Sequence, residues 1–205
     1  MAAAVIGGRP GADGFNEYIE RYKGNPWVKG VRQVLFKTGP SGEHFLSKKF
    51  LEGIRLLGSL GMSFDVCVSS AQLADAAKLV DACPDTSFIL DHCGNPDLQA
   101  PDRSAWERDL AAIARRKNIA CKVSGFAASA RKDVWTAEDV APVVRHVHKC
   151  FGPDRLIFGS DWPVCTLNGT CRKWVEALKA AVKDWSEKER RMLFHDNALR
   201  VYKLS

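Results

Sequence analysis

The sequence has 205 residues, of which 46% are hydrophobic and 26% are charged, a size and balance typical of one compact domain with a substantial core. It contains no apolar run near the ~18 residues that a membrane span needs, and its opening, MAAAVIGG, lacks the basic region and the apolar length of a signal peptide. The basic residues behind the net charge of +6 are dispersed over predicted helix surfaces, so we expect a cytoplasmic protein with neither a membrane nor a nucleic-acid partner.

Short apolar runs alternate with amphipathic helical patterns along the chain. Several of the apolar runs are nearly continuous, as is typical of parallel strands covered on both faces. The predicted strands span residues 2–6, 31–36, 64–68, 87–90, 119–123 and 156–158. Between them, apolar residues recur with helical period in stripes that begin at Phe15, Leu73, Trp106, Val140 and Trp174. This repetition predicts right-handed crossovers and a parallel sheet, in one domain over residues 1–205.

Polar residues stand in or just after almost every predicted strand. They are Arg32, Asp65, Asp91 with His92, Lys122 with Ser124, and Asp161. An open, doubly wound sheet gathers its ligand at one switch point served by two or three strands. Functional side chains on nearly every strand favour a TIM (β/α)8 barrel, whose active site lies at the C-terminal mouth. We therefore predict an α/β fold of the barrel type.

Three of these strand ends carry the chemistry of a catalytic site. Lys122 and Ser124 are two residues apart and share a face, and Asp161 follows Gly159, which leaves room for a ligand beside the strand. In a regular strand Asp91 and His92 point to opposite faces, so only one of them faces the barrel axis. A carboxylate, an imidazole and a cation in one pocket supply a general base, an electrophile and a charge stabiliser.

The seven cysteines have no paired spacing. They are scattered without a CxxC pair, whereas a disulfide framework or a thiolate zinc site needs closer, paired positions. We interpret them as reduced thiols that serve mostly as small buried hydrophobic residues.

Five segments carry a family resemblance: VKGVRQVLF, FILDHCGNPDL, CKVSGF, RLIFGSDWPV and NALRVY. From about residue 28 to the C-terminus the sequence resembles the amidohydrolase-2 family, and within it the branch that hydrolyses sugar lactones and pyrone-dicarboxylate lactones. The resemblance implies a distorted TIM barrel in which Asp161 is the general base that activates water. It implies that His92 contacts the substrate carbonyl or, in metal-bearing members, a divalent ion, and it aligns Arg32 with the arginine of the family's G-V-R strand.

The sequence departs from the family at its first strand, which ordinarily carries a His-x-His pair. The first predicted strand here resembles the family's second, so we expect an N-terminally truncated barrel: either a fragment of a longer protein or a chain that has lost the strand. His146 and His148 do not replace the pair, because positions two apart on a helix diverge by about 200°. A barrel without one strand has unpaired edges, and we expect it to be destabilised or to need a partner over them, for example in a homo-oligomer.

The missing pair also bears on the cofactor. His92 and Asp161 remain as ligands, fewer than the three protein ligands typical of catalytic zinc. The prediction is therefore either no cofactor or one zinc-like divalent metal held by these two residues.

The leading hypothesis is a hydrolase that opens a small, polar lactone of the sugar-acid type. Asp161 deprotonates the attacking water and His92 polarises the carbonyl. Arg32, Lys122, Ser124 and Trp162 form the substrate-binding set. Two alternatives remain: a metal-dependent decarboxylase of the same family, marked by metal dependence and release of carbon dioxide, and an inactive barrel fragment that only binds a ligand or partner.

Overall fold

The structure, a computed structural model, describes residues 2–39, 41–131 and 134–204. Its centre is a six-stranded parallel sheet in which the strands follow one another in chain order. The strands are β1 (Ala4–Gly7), β2 (Val28–Val34), β3 (Ser63–Cys67), β4 (Ser87–Leu90), β5 (Ile119–Val123) and β6 (Leu156–Phe158). A strand order without a reversal has no switch point, which confirms the predicted α/β fold of the barrel type over the doubly wound alternative.

Helices form the crossovers and the outer layer. They are α1 (Phe15–Glu20), α2 (Lys48–Ser59), α3 (Leu73–Ala82), α4 (Ser104–Ile113), α5 (Phe126–Ser129), α6 (Ala137–Phe151), α7 (Cys171–Ala181), α8 (Glu187–Arg191) and α9 (Asn197–Val201). Side-chain caps fix the starts of some of these helices, as where the Thr170 hydroxyl accepts from the Lys173 amide at the start of α7. None of the described helices has both the length and the apolar character needed to cross a membrane.

The predicted bounds of β4, β5 and β6 match the structure, and those of the other three strands differ. β1 spans residues 4–7 where 2–6 was predicted, β2 spans 28–34 where 31–36 was predicted, and β3 spans 63–67 where 64–68 was predicted. Lys29 and Gly30 break the apolar run that predicted the second strand. The structure shows why they still belong to it: Gly30 pairs with Ser63 of β3, and a Cβ at Gly30 would lie 2.2 Å from the Ser63 hydroxyl. Position 30 therefore has no room for a side chain, because β2 and β3 lie too close together there.

The side chains of the sheet alternate between two layers. One face packs against the helices in the main core, to which every strand from β2 to β6 contributes. The opposite face carries a smaller apolar cluster of Ile89, Ala120 and Ile157, covered by Ala198, Val201 and Tyr202 at the end of the chain. Helix α9 thus covers the inner face of the sheet from below. Asp65 and Lys122 lie on that same face as register partners of Ile89 and Ile157.

Candidate functional site

The sheet brings the predicted polar residues together at its C-terminal edge. Arg32 and Asp65 are register partners on β2 and β3, and Lys122 of β5 bonds to Asp65 across the sheet. His92 lies just after β4, Ser124 just after β5 and Asp161 three residues after β6. The side chains of His92 and Asp161 are 12% and 11% exposed, so both groups are largely desolvated.

The chain leaves β4 through a left-handed turn. β4 ends at Leu90, and His92, Cys93 and Asn95 all have φ between 51° and 54°, a conformation that non-glycine residues seldom adopt. The turn is held because Cys93 accepts a hydrogen bond from the Trp106 indole at 2.9 Å and the Asn95 amide donates to Val68 at 2.7 Å. The alternation expected of a regular strand does not apply to Asp91 and His92, because the strand ends at Leu90, and both residues contact Arg32.

A buried charged layer lies beneath the mouth. The Lys122 ammonium is 2.6 Å from Asp65 Oδ2 and 2.7 Å from Asp91 Oδ1, and both carboxylates are 1% exposed. Burial alone would lower the pKa of Lys122, but these two carboxylates raise it far above its usual value. Tyr202 donates to Asp65 Oδ2 at 2.9 Å, and burial together with that carboxylate raises the pKa of its phenol. Lys122 is therefore a permanent cation that holds this layer together.

Arg32 links the charged layer to the mouth. Its Nε is 2.7 Å from Asp91 Oδ2, although neither atom is aligned for a hydrogen bond. Its Nη2 is 3.1 Å from His92 Nε2 and 3.4 Å from Cys67 Sγ. One guanidinium thus contacts three of the potential ligand atoms of the site.

These contacts define the tautomer of His92. A guanidinium only donates, so the Nε2 atom of His92 accepts from Arg32. The Nδ1 atom is 2.9 Å from the Ser124 hydroxyl and carries the ring proton. Burial lowers the pKa of His92, against the opposing effect of Asp91 and Asp161, which keeps the ring neutral.

Gly125 is part of the same arrangement. Its φ is 81°, and a Cβ there would lie 2.6 Å from the His92 Cβ and Cγ atoms. The glycine therefore lets the backbone after β5 pass directly against the imidazole.

Asp161 completes the pocket from β6. It adopts a left-handed conformation with φ 55°, which turns its carboxylate toward His92, 3.7 Å from Nε2. Burial raises the pKa of this carboxyl, and His92 and Arg32 oppose the shift. The next residue, Trp162, is 71% exposed and stands at the rim. Its predicted contact with substrate stays a prediction.

Two residues of the site were not predicted from the sequence: Cys67 was interpreted as a small hydrophobic residue, and Tyr202 was not considered. Asp65 was noted as a polar residue within a predicted strand but was not included in the predicted catalytic or substrate-binding set. A signal for Asp65 was present, because a carboxylate inside the apolar run SFDVC is a buried charge that needs a partner. No local pattern marks Tyr202, whose partner lies 137 residues away in sequence.

Consecutive parallel strands with a carboxylate, an imidazole and paired cations at their C-terminal ends are typical of the active-site edge of a barrel enzyme. Residues 1–204 match the amidohydrolase-2 family profile, described as Amidohydrolase. The chain belongs to this family, as the sequence motifs predicted.

Individual proteins agree with this assignment. The chain is 29% identical, over 98% of its length, to an L-fucono-1,5-lactonase of Burkholderia multivorans and covers 72% of that protein. It is 26% identical, over 95% of its length, to an L-rhamnono-gamma-lactonase of Scheffersomyces stipitis and covers 66% of it. A crystal structure of a Burkholderia multivorans amidohydrolase with bound zinc superimposes with a TM-score of 0.93 at 26% identity, covering 100% of this chain and 74% of that one. The chain spans about two thirds of the length of the curated relatives it matches.

Proposed function

We propose that this protein is a hydrolase that opens a small, polar lactone of the sugar-acid type. The observation that carries the proposal is the pair of His92 Nε2 and Asp161 Oδ1, 3.7 Å apart at the mouth of the pocket, with a guanidinium directly behind it. The similarity to two sugar lactonases supports the substrate class. A ring ester needs only a base for water and a positive donor for the carbonyl oxygen, and both are present.

Asp161 is the proposed general base. Its carboxylate takes a proton from water as the water oxygen bonds to the lactone carbonyl carbon. The tetrahedral intermediate then collapses, the ring C–O bond breaks, and the leaving alkoxide takes the proton back from Asp161. The product is an open-chain hydroxy acid, which ionises and releases one proton to solvent. Burial raises the pKa of Asp161, which strengthens it as a base.

Arg32 is the proposed donor to the oxyanion. The neutral His92 ring accepts from Arg32 through Nε2 and donates to Ser124 through Nδ1, so in this arrangement the guanidinium supplies the positive N–H groups and His92 orients them. A fixed cation aimed at developing negative charge is a strong source of transition-state stabilisation. Lys122 pairs with Asp65 and Asp91 from below and so holds Asp91, the carboxylate partner of Arg32, in place.

The surroundings of the mouth suit a hydroxylated ligand. A cavity of about 990 Å³ adjoins Arg32 and is lined by the loops after β1 and β2, including Arg9, Lys37 and Thr38. Polar and cationic side chains there favour hydroxyl and carboxylate groups. We place Trp162 at the opposite rim, where its exposed ring offers an apolar face to a sugar ring.

The residues also fit a divalent ion, which the family relationship and the zinc-bound neighbour suggest. Imidazole nitrogen, carboxylate oxygen and thiolate sulfur are zinc donors, and His92, Asp161 and Cys67 offer one of each around the mouth. The ligand atoms of Cys67, Asp91 and His92 lie within 4.8 Å of one another, and Asp91 Oδ2 is buried without a hydrogen bond. When bound, such an ion polarises the carbonyl and acidifies a bound water.

The test is hydrolysis of a panel of sugar-acid 1,5- and γ-lactones by the purified chain, followed with a pH indicator, with and without chelator. Asp161→Asn removes the base, and Asp184→Asn changes an exposed carboxylate as the matched control. We expect turnover by the unchanged chain and by Asp184→Asn, and a loss of about 10²–10⁴-fold in Asp161→Asn. Equal turnover in all three proteins, or carbon dioxide release in place of acid release, contradicts the proposal.

A further inference from the structure

The potential metal ligands of the mouth share one contact, the guanidinium of Arg32. Cys67, Asp91 and His92 offer a thiol, a carboxylate and an imidazole within 4.8 Å of one another. Arg32 lies 3.4 Å from the first, 2.7 Å from the second and 3.1 Å from the third. The arginine therefore stands in the space that an ion bound to these atoms needs.

Two atoms in this contact are poorly satisfied. Asp91 Oδ2 and Arg32 Nε are buried and close to each other, yet neither has an aligned hydrogen bond. A carboxylate lone pair buried without a donor is costly, and the Asp91 side chain is 1% exposed. This oxygen is available to a cation that approaches it from a better direction.

The charges of the pocket permit an exchange of one cation for another. Asp65, Asp91 and Asp161 face Lys122 and Arg32, which leaves one negative charge uncompensated. Cys67 adds a second negative charge when it loses its proton to solvent and becomes a thiolate ligand. A divalent ion that takes the place of Arg32 compensates this change, so the net charge of the pocket stays the same through the exchange.

The Arg32 side chain also has space into which it can move. Its side chain is 39% exposed, far more than the Cys67 or Asp91 that it contacts. It lines the cavity of about 990 Å³ formed with the loops after β1 and β2. Gly7 is the register partner of Arg32 on β1, and the space where its side chain would lie is open.

We propose that Arg32 and a divalent cation compete for one position among Cys67, Asp91 and His92, so that the ion binds, with Cys67 as a ligand, only when the guanidinium moves into the adjoining cavity. Arg32 is then a built-in substitute for the ion, and the affinity of the site is set by how often the arginine leaves it. The inference concerns metal binding and stands or falls independently of the reaction.

The first experiment measures Zn²⁺ and Co²⁺ affinity by competition with a chromophoric chelator. If the pocket is free of Arg32 about a tenth of the time, Arg32→Met tightens binding about tenfold. Arg9→Met is the matched control, because it neutralises another arginine that lines the same cavity outside the cluster, and it should leave the affinity within about twofold of the unchanged chain. Unchanged or weaker binding by Arg32→Met overturns the proposal, and so does equal tightening by both variants.

The second experiment tests Cys67 spectroscopically. Thiolate ligation gives the Co²⁺ protein an intense near-ultraviolet charge-transfer band, which should be present in the unchanged chain and absent in Cys67→Ser. Co²⁺ binding without that band contradicts the assignment of Cys67.

The third experiment needs no variant, so it holds even if Arg32→Met fails to fold. A crystal structure of the zinc-loaded chain should show the guanidinium in the cavity and zinc on Cys67 and His92. A zinc ion bound in the cluster while Arg32 still contacts His92 Nε2 would show that the two cations do not compete.

Discussion

Tyr202 donates a hydrogen bond to Asp65 at 2.9 Å, and this contact joins the last described helix to the floor of the pocket. The phenol is the second partner of Asp65 Oδ2 beside Lys122, and the Tyr202 ring lies 5.7 Å from the Lys122 ammonium. The end of the chain is therefore part of the charged layer that supports the site.

Tyr202→Phe removes only this hydroxyl. We expect a loss of about 1.5–3 kcal/mol in the free energy of unfolding, because a hydrogen bond to a buried carboxylate is lost. Denaturant unfolding measures it, and the midpoint should fall while the slope with denaturant stays the same. An unchanged midpoint would mean that Lys122 alone satisfies Asp65.

Lys122→Met should be the more damaging change. It leaves Asp65 and Asp91 without their shared cation in a buried layer, and breaking a buried pair in this way costs about 3–5 kcal/mol. The same measurement on Lys48→Met, whose side chain is 91% exposed, should change stability by less than about 0.5 kcal/mol.

A double variant separates charge from packing at Lys122. Adding Asp65→Asn to Lys122→Met removes one of the stranded charges, and we expect it to recover part of the loss. If the double variant is no more stable than Lys122→Met, the loss comes from packing of the lysine stem.

Gly125→Ala tests the contact behind His92. The new methyl group must enter a left-handed residue, at about 1–2 kcal/mol, and would also lie 2.6 Å from the imidazole Cβ and Cγ atoms. Gly24→Ala is the control, because its φ is 71° and nothing lies within 4 Å. We expect both variants to lose stability, and only Gly125→Ala to lose more than this and to lose lactone turnover. Equal effects on both measurements would show that the imidazole position does not depend on Gly125.

Asp75 should make the protein sensitive to acid. The carboxylate pairs with Lys78 at 2.8 Å and accepts from the Gly42 amide at 2.9 Å, and these contacts lower its pKa. Because its pKa is lower in the folded state, its stabilisation is complete above the unfolded value of about 3.9. It is lost as the pH falls through the folded pKa.

Asp75→Asn should therefore be less stable than the unchanged chain at pH 7, by roughly 1 kcal/mol because the side chain is partly exposed. Its stability should change less between about pH 5 and pH 2. Thermal unfolding across that range, with Asp184→Asn as an exposed reference, measures both effects. Parallel pH profiles for Asp75→Asn and the unchanged chain would show that Asp75 does not contribute to the acid sensitivity of the protein.

The sequence predicts the sheet well where the physical signal is local. The strands Ser87–Leu90, Ile119–Val123 and Leu156–Phe158 are short, mostly apolar runs, and their predicted bounds agree with the structure. The start of β2 was not predicted, because Gly30 lowers strand propensity in sequence but is required by its partner Ser63. Strand partners are tertiary information that a local pattern does not contain.

In the candidate site, too, the sequence predicts what local signals mark and misses what depends on tertiary contacts. Motifs and strand ends pointed to His92, Asp161, Arg32 and Lys122, and the structure places all four in one pocket. The turn that admits both Asp91 and His92 depends on three left-handed residues. Sequence alternation cannot anticipate them, since packing against Trp106 and Val68 maintains the turn.

The closure of the inner face by α9 has a consequence for biosynthesis. Ile89, Ala120 and Ile157 are made well before Ala198, Val201 and Tyr202 that cover them, and Asp65 precedes Tyr202 by 137 residues. At about 5–20 residues per second, that interval lasts roughly ten seconds. For that time Asp65 lacks its contact with Tyr202, and the apolar cluster stays uncovered after Ile157 is made, so the pocket is complete only when residues 198–202 have been added.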